Sequence, residues 1–97
     1  MKYNIDIKKS ANDDLLYYDT FEQRIIVKAI LKYLQFDANI ETRKRKQLRS
    51  NPVAPWELKI GKYRILYEVT EGQKVKVLAI GHKDHNELFI QGRKVQI

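Results

Sequence analysis

The stretch Pro55–Val69, PWELKIGKYRILYEV, decides the fold. Trp56, Leu58 and Ile60 alternate with Glu57 and Lys59, and Tyr63, Ile65, Tyr67 and Val69 alternate with Arg64, Leu66 and Glu68. Period-two alternation of aromatic and β-branched residues marks two half-buried strands. Gly61-Lys62 lies between them, and glycine at the first turn position suits a type II′ hairpin. A two-residue turn sets Ile60 against Tyr63, Lys59 against Arg64 and Leu58 against Ile65. The face built from Trp56, Leu58, Ile60, Tyr63, Ile65 and Tyr67 is apolar and is expected to meet the core. The other face puts Lys59 opposite Arg64. Like charges across a strand pair cost up to about 1 kcal/mol. The pair therefore either splays into water or holds an anion. An exposed pair of this kind adds little stability, so truncating either residue is expected to leave the melting temperature equal or higher.

N-terminal to the hairpin, Tyr3, Ile5 and Ile7 alternate with polar residues and predict a first strand. Ser10 and Asp13 form an approximate capping box, which predicts a short helix from Ala11, with Ala11, Leu15 and Tyr18 on one side. Thr20 and Gln23 form a second capping box and predict a helix from Phe21 to Phe36. Its apolar stripe is Phe21, Ile25, Ile26, Ala29, Ile30, Tyr33 and Leu34. Residues 37–54 show no strand or helix periodicity and read as a loop. Five cations in seven residues, Arg43, Lys44, Arg45, Lys46 and Arg49, make that loop either a solvated surface or a phosphate contact.

C-terminal to the hairpin, a turn at Glu71-Gly72 and a strand from Lys74 to Ile80 follow. With that turn, Ala79 faces Arg64, and Lys83 shares the face of Lys59 and Arg64. A bulge or a one-residue slip would change this. Gly81–His85 is expected to leave the sheet edge. Glu87–Ile90 is short and ambiguous, and Lys94–Ile97 reads as a small terminal strand.

The chain has 97 residues and a formal net charge of +7. At that length it buries roughly 65% of its unfolded surface in one core, so residues 1–97 are expected to form a single domain. A strongly basic chain favours a polyanionic partner. There is no cysteine, which excludes disulfides and thiolate metal sites. No stretch reads as a signal peptide or a membrane span, so a cytoplasmic protein is expected. His82, Asp84 and His85 alone make a poor metal site. Neither a metal nor another cofactor is expected.

W-E-L-K-I-G-x-Y-R-I-L-Y-E-V, followed by V-L-A-I-G-H-K, resembles the RelE/ParE superfamily of toxins from type II toxin–antitoxin systems. The order β, α, α, loop, β, β, β follows that superfamily along nearly the whole chain. The resemblance implies an α+β fold. An N-terminal strand and two helices pack on one face of a twisted, mostly antiparallel sheet of three to four strands, and the opposite face is open. It further implies a metal-independent, ribosome-dependent endoribonuclease that cuts mRNA with the 2′-hydroxyl as nucleophile. Lys59, Arg64 and Lys83 match basic catalytic positions. Glu57 stands where a second lysine is usual, and Phe89 where a tyrosine stacks on the substrate base. Some relatives use a Glu and a His as the acid/base couple, which makes Glu57 with His82 or His85 a substitute. The basic segment Arg43–Arg49 corresponds to a basic segment of these toxins and would contact RNA. Implied partners are a cognate antitoxin, the ribosome and mRNA, with no membrane. The alternatives are a ParE-like inhibitor of DNA gyrase, which lacks the nuclease residues, and an inert protein of the same fold that binds only its antitoxin.

Overall fold

In a computed structural model, which describes residues 2–97, the central hairpin forms β3 (Trp56–Ile60) and β4 (Tyr63–Thr70). Its register is the one the turn dictates: Ile60 pairs with Tyr63, Lys59 with Arg64 and Leu58 with Ile65. Gly61 has φ +55°, whereas Lys62 is not at positive φ, as a type II′ turn requires. The remaining elements are β1 (Asn4–Ile7), α1 (Lys9–Leu16), α2 (Thr20–Leu34), β2 (Arg45–Gln47), β5 (Lys74–Asp84), β6 (Glu87–Ile90) and β7 (Arg93–Val95).

The sheet is wider than the sequence suggested. Seven strands take the order β2-β3-β4-β5-β6-β7, and β1 joins β5 in parallel beside its first half. All other pairings are antiparallel. The α+β fold holds, with both helices on one sheet face. The extra strands come from two places. Part of the basic loop pairs with β3 as β2, and the segment after Gly81 stays in the sheet through Asp84 and then folds into β6 and β7.

The main core lies between the helices and the sheet. Ala11, Leu15 and Tyr18 from the first helical region and Ile26, Ala29, Ile30 and Leu34 from α2 meet Trp56, Leu58, Tyr63, Ile65, Tyr67, Val75, Val77 and Ile80. Phe21 falls outside the stripe predicted for it and is 71% exposed. Both helix starts also differ from the capping boxes. Asp19, one residue before Thr20, takes the N-cap and accepts from the Glu22 amide at 2.8 Å. The first helix begins at Lys9 without a side-chain cap, because the Ser10 hydroxyl instead donates to the Leu78 carbonyl.

The opposite face is not fully open. Ala54, Leu66, Ala79 and Leu88 form a second, smaller core, flanked by Leu48, Val53, Leu78, Ile90 and Val95. Loop 48–54 and the C-terminal strands cover part of the sheet there and leave a cleft between them. Tyr67 ties the main core to the chain beyond α2. It is fully buried, and its hydroxyl donates to the Ala38 carbonyl at 2.8 Å. Burial pushes this phenol's pKa well above the ordinary value. Tyr67→Phe leaves that carbonyl without its donor and is expected to cost about 1–2 kcal/mol in denaturant unfolding. A loss below about 0.3 kcal/mol would show that the carbonyl is satisfied another way.

Candidate functional site

Cross-strand rows place the site residues. Facing away from the helices, one row runs Lys46–Glu57–Leu66–Ala79 and the next runs Lys59–Arg64–Gly81. Lys83 and Leu88 continue this face at the far end of β5. The placement of Lys83 rests on two one-residue shifts that add to two and so restore its face. The β4–β5 loop has three residues rather than two, with Gly72 and Gln73 at positive φ, and Leu78 bulges out of β5 opposite the Leu66–Tyr67 step. Each shift moves the register by one residue. Gly81, not Ala79, therefore faces Arg64, and Lys83 keeps its expected side. Gly81 must lack a side chain, since a Cβ there would collide with the Phe89 carbonyl of β6.

Lys46 and Glu57 of the first row, with Lys83, border a cleft of about 580 Å³ between residues 46–51, β3, the end of β5 and Ile97. Lys46, Arg49 and Lys83 line it with Glu57, Ser50 and Asn51. Three cations, two from the stretch 46–49 and one from β5, thus share a cleft with one carboxylate. The Glu57 side chain is 13% exposed, and Arg64 Nε lies 3.9 Å from its Oε1. Asn51 shapes the cleft wall: its amide donates to the Arg49 and Ala54 carbonyls, and its Oδ1 accepts from the Val53 and Ala54 amides.

Arg64 differs from its sequence reading. Its side chain is only 11% exposed rather than splayed into water. Nη1 donates to the Gly61 carbonyl at 2.8 Å and the Tyr63 carbonyl at 3.0 Å. Burial lowers its pKa, and the Glu57 charge works in the opposite direction. Arg64 therefore braces the hairpin turn while it compensates Glu57. Lys59, its cross-strand neighbour, stays exposed.

The two histidines are elsewhere. His82 sits in the row Ile60–Tyr63–His82–Phe89, on the helix face, so the sheet separates it from Glu57. Its Nδ1 is hydrogen-bonded to the Tyr18 hydroxyl at 2.7 Å, and its ring stacks on Phe89 with centroids 5.8 Å apart. Phe89 thereby also faces away from the cleft. Burial raises the Tyr18 pKa, and burial with the Glu22 hydrogen bond pushes Tyr63 up to about 12. His85 occupies the β5–β6 turn at φ 51°, exposed, with Nδ1 2.9 Å from Asp84. Neither histidine forms a couple with Glu57 in this structure.

The basic loop divides likewise. Lys46 and Arg49 enter the cleft. Arg45 turns to the helix side, where it donates to the Tyr33 carbonyl near the end of α2 and to the Ile40 carbonyl. That is a structural use of arginine at a helix C-terminus. Lys44 lies over the Tyr33 ring, also on the helix side, and Arg43 is exposed.

The model of the ParE toxin of type II toxin–antitoxin systems (parDE) matches residues 5–87. The chain belongs to this toxin family. Solved relatives share its fold. The toxin–antitoxin complex RelBE2 from Mycobacterium tuberculosis aligns with TM-score 0.74 at 21% identity, over 86% of this chain and 93% of that one. The archaeal RelE–RelB complex from Pyrococcus horikoshii OT3 aligns with TM-score 0.67 at 17% identity, over 88% and 99%. The intact E. coli RelBE complex gives 0.56 at 16% identity, over 86% and 99%. No curated protein sequence matches the toxin. Among its described residues, no helix is long and apolar enough to cross a membrane.

One residue that supports the toxin's site escaped the sequence reading. Asp14 is 5% exposed, and its carboxylate accepts from the Ile80 amide at 3.0 Å and from Gln91 Nε2 at 2.6 Å. It anchors α1 to β5 beside the bulge and to the β6–β7 turn, and so fixes the strands that carry Lys83. A signal was present: Ala11, Asp14, Leu15 and Tyr18 fall at i, i+3, i+4, i+7, which puts a carboxylate on the buried stripe.

Proposed function

We propose that the toxin blocks translation by cleaving mRNA in the cleft, as an endoribonuclease that needs no metal. The observation that supports this reading is the one cleft that Lys46, Arg49 and Lys83 line together with Glu57. Glu57 takes the proton of the attacking 2′-hydroxyl. The cations hold the phosphate and offset the charge that develops on it, the role that preorganised charge plays in such reactions. Arg64 positions Glu57, and the exposed Lys59 adds positive charge to the same sheet face. The solved relatives are toxins in complex with antitoxins, which supports a cognate antitoxin as the controlling partner here. Inducible expression with primer extension on a reporter mRNA tests the reading. Wild type should arrest growth and produce discrete cuts, and Lys83→Ala should lose both while remaining folded. Growth arrest without any cut would refute it.

The contacts should be with phosphates and not with bases. Neutralising Lys46, Arg49 or Lys83 is expected to lower the log–log salt slope of RNA binding by about 1 each. Neutralising Arg45 should leave the slope unchanged, because its guanidinium is committed to two carbonyls. Equal slopes for all four variants would show that the cleft does not hold RNA.

One observation favours a second reading. The family model that matches is that of the ParE toxin, and ParE-like inhibition of DNA gyrase needs no nuclease residues. A gyrase supercoiling assay separates the two: inhibition by wild type, with reporter mRNA intact, assigns the toxin to gyrase.

A further inference from the structure

We propose that the outer side of α2 docks an acidic, amphipathic helix of a partner protein, on the sheet face opposite the cleft. The chemistry of the cleft has no bearing on this surface. α2 buries Ile26, Ala29, Ile30 and Leu34. Its outer side is not polar throughout, as a helix surface that only meets water usually is. Phe21 is 71% exposed and Leu31 48%. Two concavities, of about 620 and 380 Å³, follow the helix and share Ile25 and Lys28. Ile25, Ala29, Tyr33 and Ile60 give the second an apolar lining where α2 meets the end of β3. From Phe21 to Tyr33 the groove is roughly 18 Å long at about 1.5 Å per residue, the length of a partner helix of about three turns.

Charge decides what kind of helix fits. Arg24, Lys28 and Lys32 recur every four residues along α2, and Lys44 adds a fourth cation. Lys32 and Lys44 lie over the Tyr33 ring, 5.3 and 5.5 Å from its centroid. No acidic side chain lines either concavity. Among the described residues, none of the four cations forms an ion pair. The only carboxylate of α2, Glu22, is engaged elsewhere: it accepts from the Tyr63 hydroxyl at 2.6 Å and lies 3.7 Å from Lys62. A helix that seats apolar residues on Phe21, Ile25 and Tyr33 and carries carboxylates on its flanks satisfies the apolar surface and the cations together. RNA would satisfy the cations and leave Phe21 and Leu31 bare. A second copy of this chain would bring the same lysines face to face across a two-fold interface. Ile60 pairs with Tyr63 on the helix face, whereas Glu57 and Lys59 point to the other side, so the docked helix leaves the cleft uncovered.

The test uses the full chain and a labelled helical peptide of about three to four turns, designed with leucines along one stripe and glutamates on both flanks. Two control peptides replace every Glu by Lys, or every Leu by Ser. Fluorescence anisotropy reads binding, and only the first peptide is expected to bind. Lys28→Glu combined with Lys32→Glu should weaken it at least about tenfold, and so should Phe21→Ser. These three positions are exposed, so thermal unfolding should show both variants folded. Lys46→Glu combined with Lys83→Glu lowers the net charge by the same amount on the opposite face, and should bind the peptide as wild type does. Equal weakening by the two double variants would reduce the effect to net charge and overturn the proposal. Failure of the first peptide to bind, or equal binding of the serine control, would also overturn it. A wild-type dimer in sedimentation that Phe21→Ser dissociates would give the groove to a second copy instead. Binding of a short single-stranded RNA that is lost with Lys28 and Lys32 reversed, but kept with Lys46 and Lys83 reversed, would give it to nucleic acid. Either result would overturn the proposal.

Discussion

Asp14→Ala is expected to destabilise the toxin by about 3 kcal/mol, the largest stability loss among the substitutions argued here. The carboxylate is 5% exposed and makes two hydrogen bonds of 3.0 Å and 2.6 Å. Alanine deletes the acceptor but not the donors. The Ile80 amide then sits in the core beside a bulge with no strand partner to replace it. A buried donor left in that state costs about 1–3 kcal/mol, and a bond to a charged group sits at the upper end. Gln91 loses its anchor as well and frees the β6–β7 turn from α1. In a domain of this length about 3 kcal/mol lowers the melting temperature by roughly 12–24 °C. Asp14→Asn is the informative control. Its side-chain oxygen still accepts from the Ile80 amide, and its NH2 can meet the Gln91 carbonyl oxygen once that amide turns over. It should cost about 1 kcal/mol. Thermal and denaturant unfolding of both variants decide the matter. If alanine costs no more than asparagine, the carboxylate is not what joins the helix to the two strands.

The hairpin was legible because its signals are local. Alternation, a glycine at the first turn position and a loop of two residues leave one register for Lys59 and Arg64, and that register is observed. The first strand and the buried stripe around Ala11, Leu15 and Tyr18 were legible for the same reason. The short strand β2 was not. Its three residues, Arg45-Lys46-Gln47, have no strand composition and pair only because β3 offers an open edge. The face of His82 was not legible either. Sequence gives its spacing from Lys83, but a side depends on counting through a loop and a bulge, each of which reverses the answer. Leu78 carries no mark of a bulge. The bulge is stabilised from α1, where Ser10 reaches the Leu78 carbonyl and Asp14 the Ile80 amide, 68 and 66 residues away in the chain. The second small core went unseen because Leu66, Ala79 and Leu88 are each ordinary strand residues, and only the return of β6 and β7 gives them neighbours.

Arg64 is where the structure changes an expectation most. Read from sequence, it opposes Lys59 on the open face and matches a basic catalytic position, so its removal should reduce cleavage and leave stability equal or higher. In the fold, Nη1 bridges two carbonyls of the hairpin turn and Nε lies 3.9 Å from Glu57. Arg64→Ala should therefore lower stability by about 1–2 kcal/mol, since the turn is exposed and water replaces part of what the carbonyls lose. The effect on cleavage should be much larger. Without the guanidinium, Glu57 loses the cation that lies 3.9 Å from it, and the phosphate loses a fixed positive field. Removal of one preorganised charge stabiliser costs on the order of 10²-fold or more in rate. Arg64→Lys separates the two roles. An ammonium restores the charge but cannot brace two carbonyls and reach the carboxylate in a planar fork. It should recover cleavage only in part and stability hardly at all. Reporter-mRNA cleavage and thermal unfolding, measured on the same preparations, read both effects. An Arg64→Ala protein that is as stable as wild type yet inactive would move the guanidinium from the turn to the phosphate itself. One that melts earlier and cuts as fast as wild type would confine Arg64 to the hairpin and remove it from the chemistry.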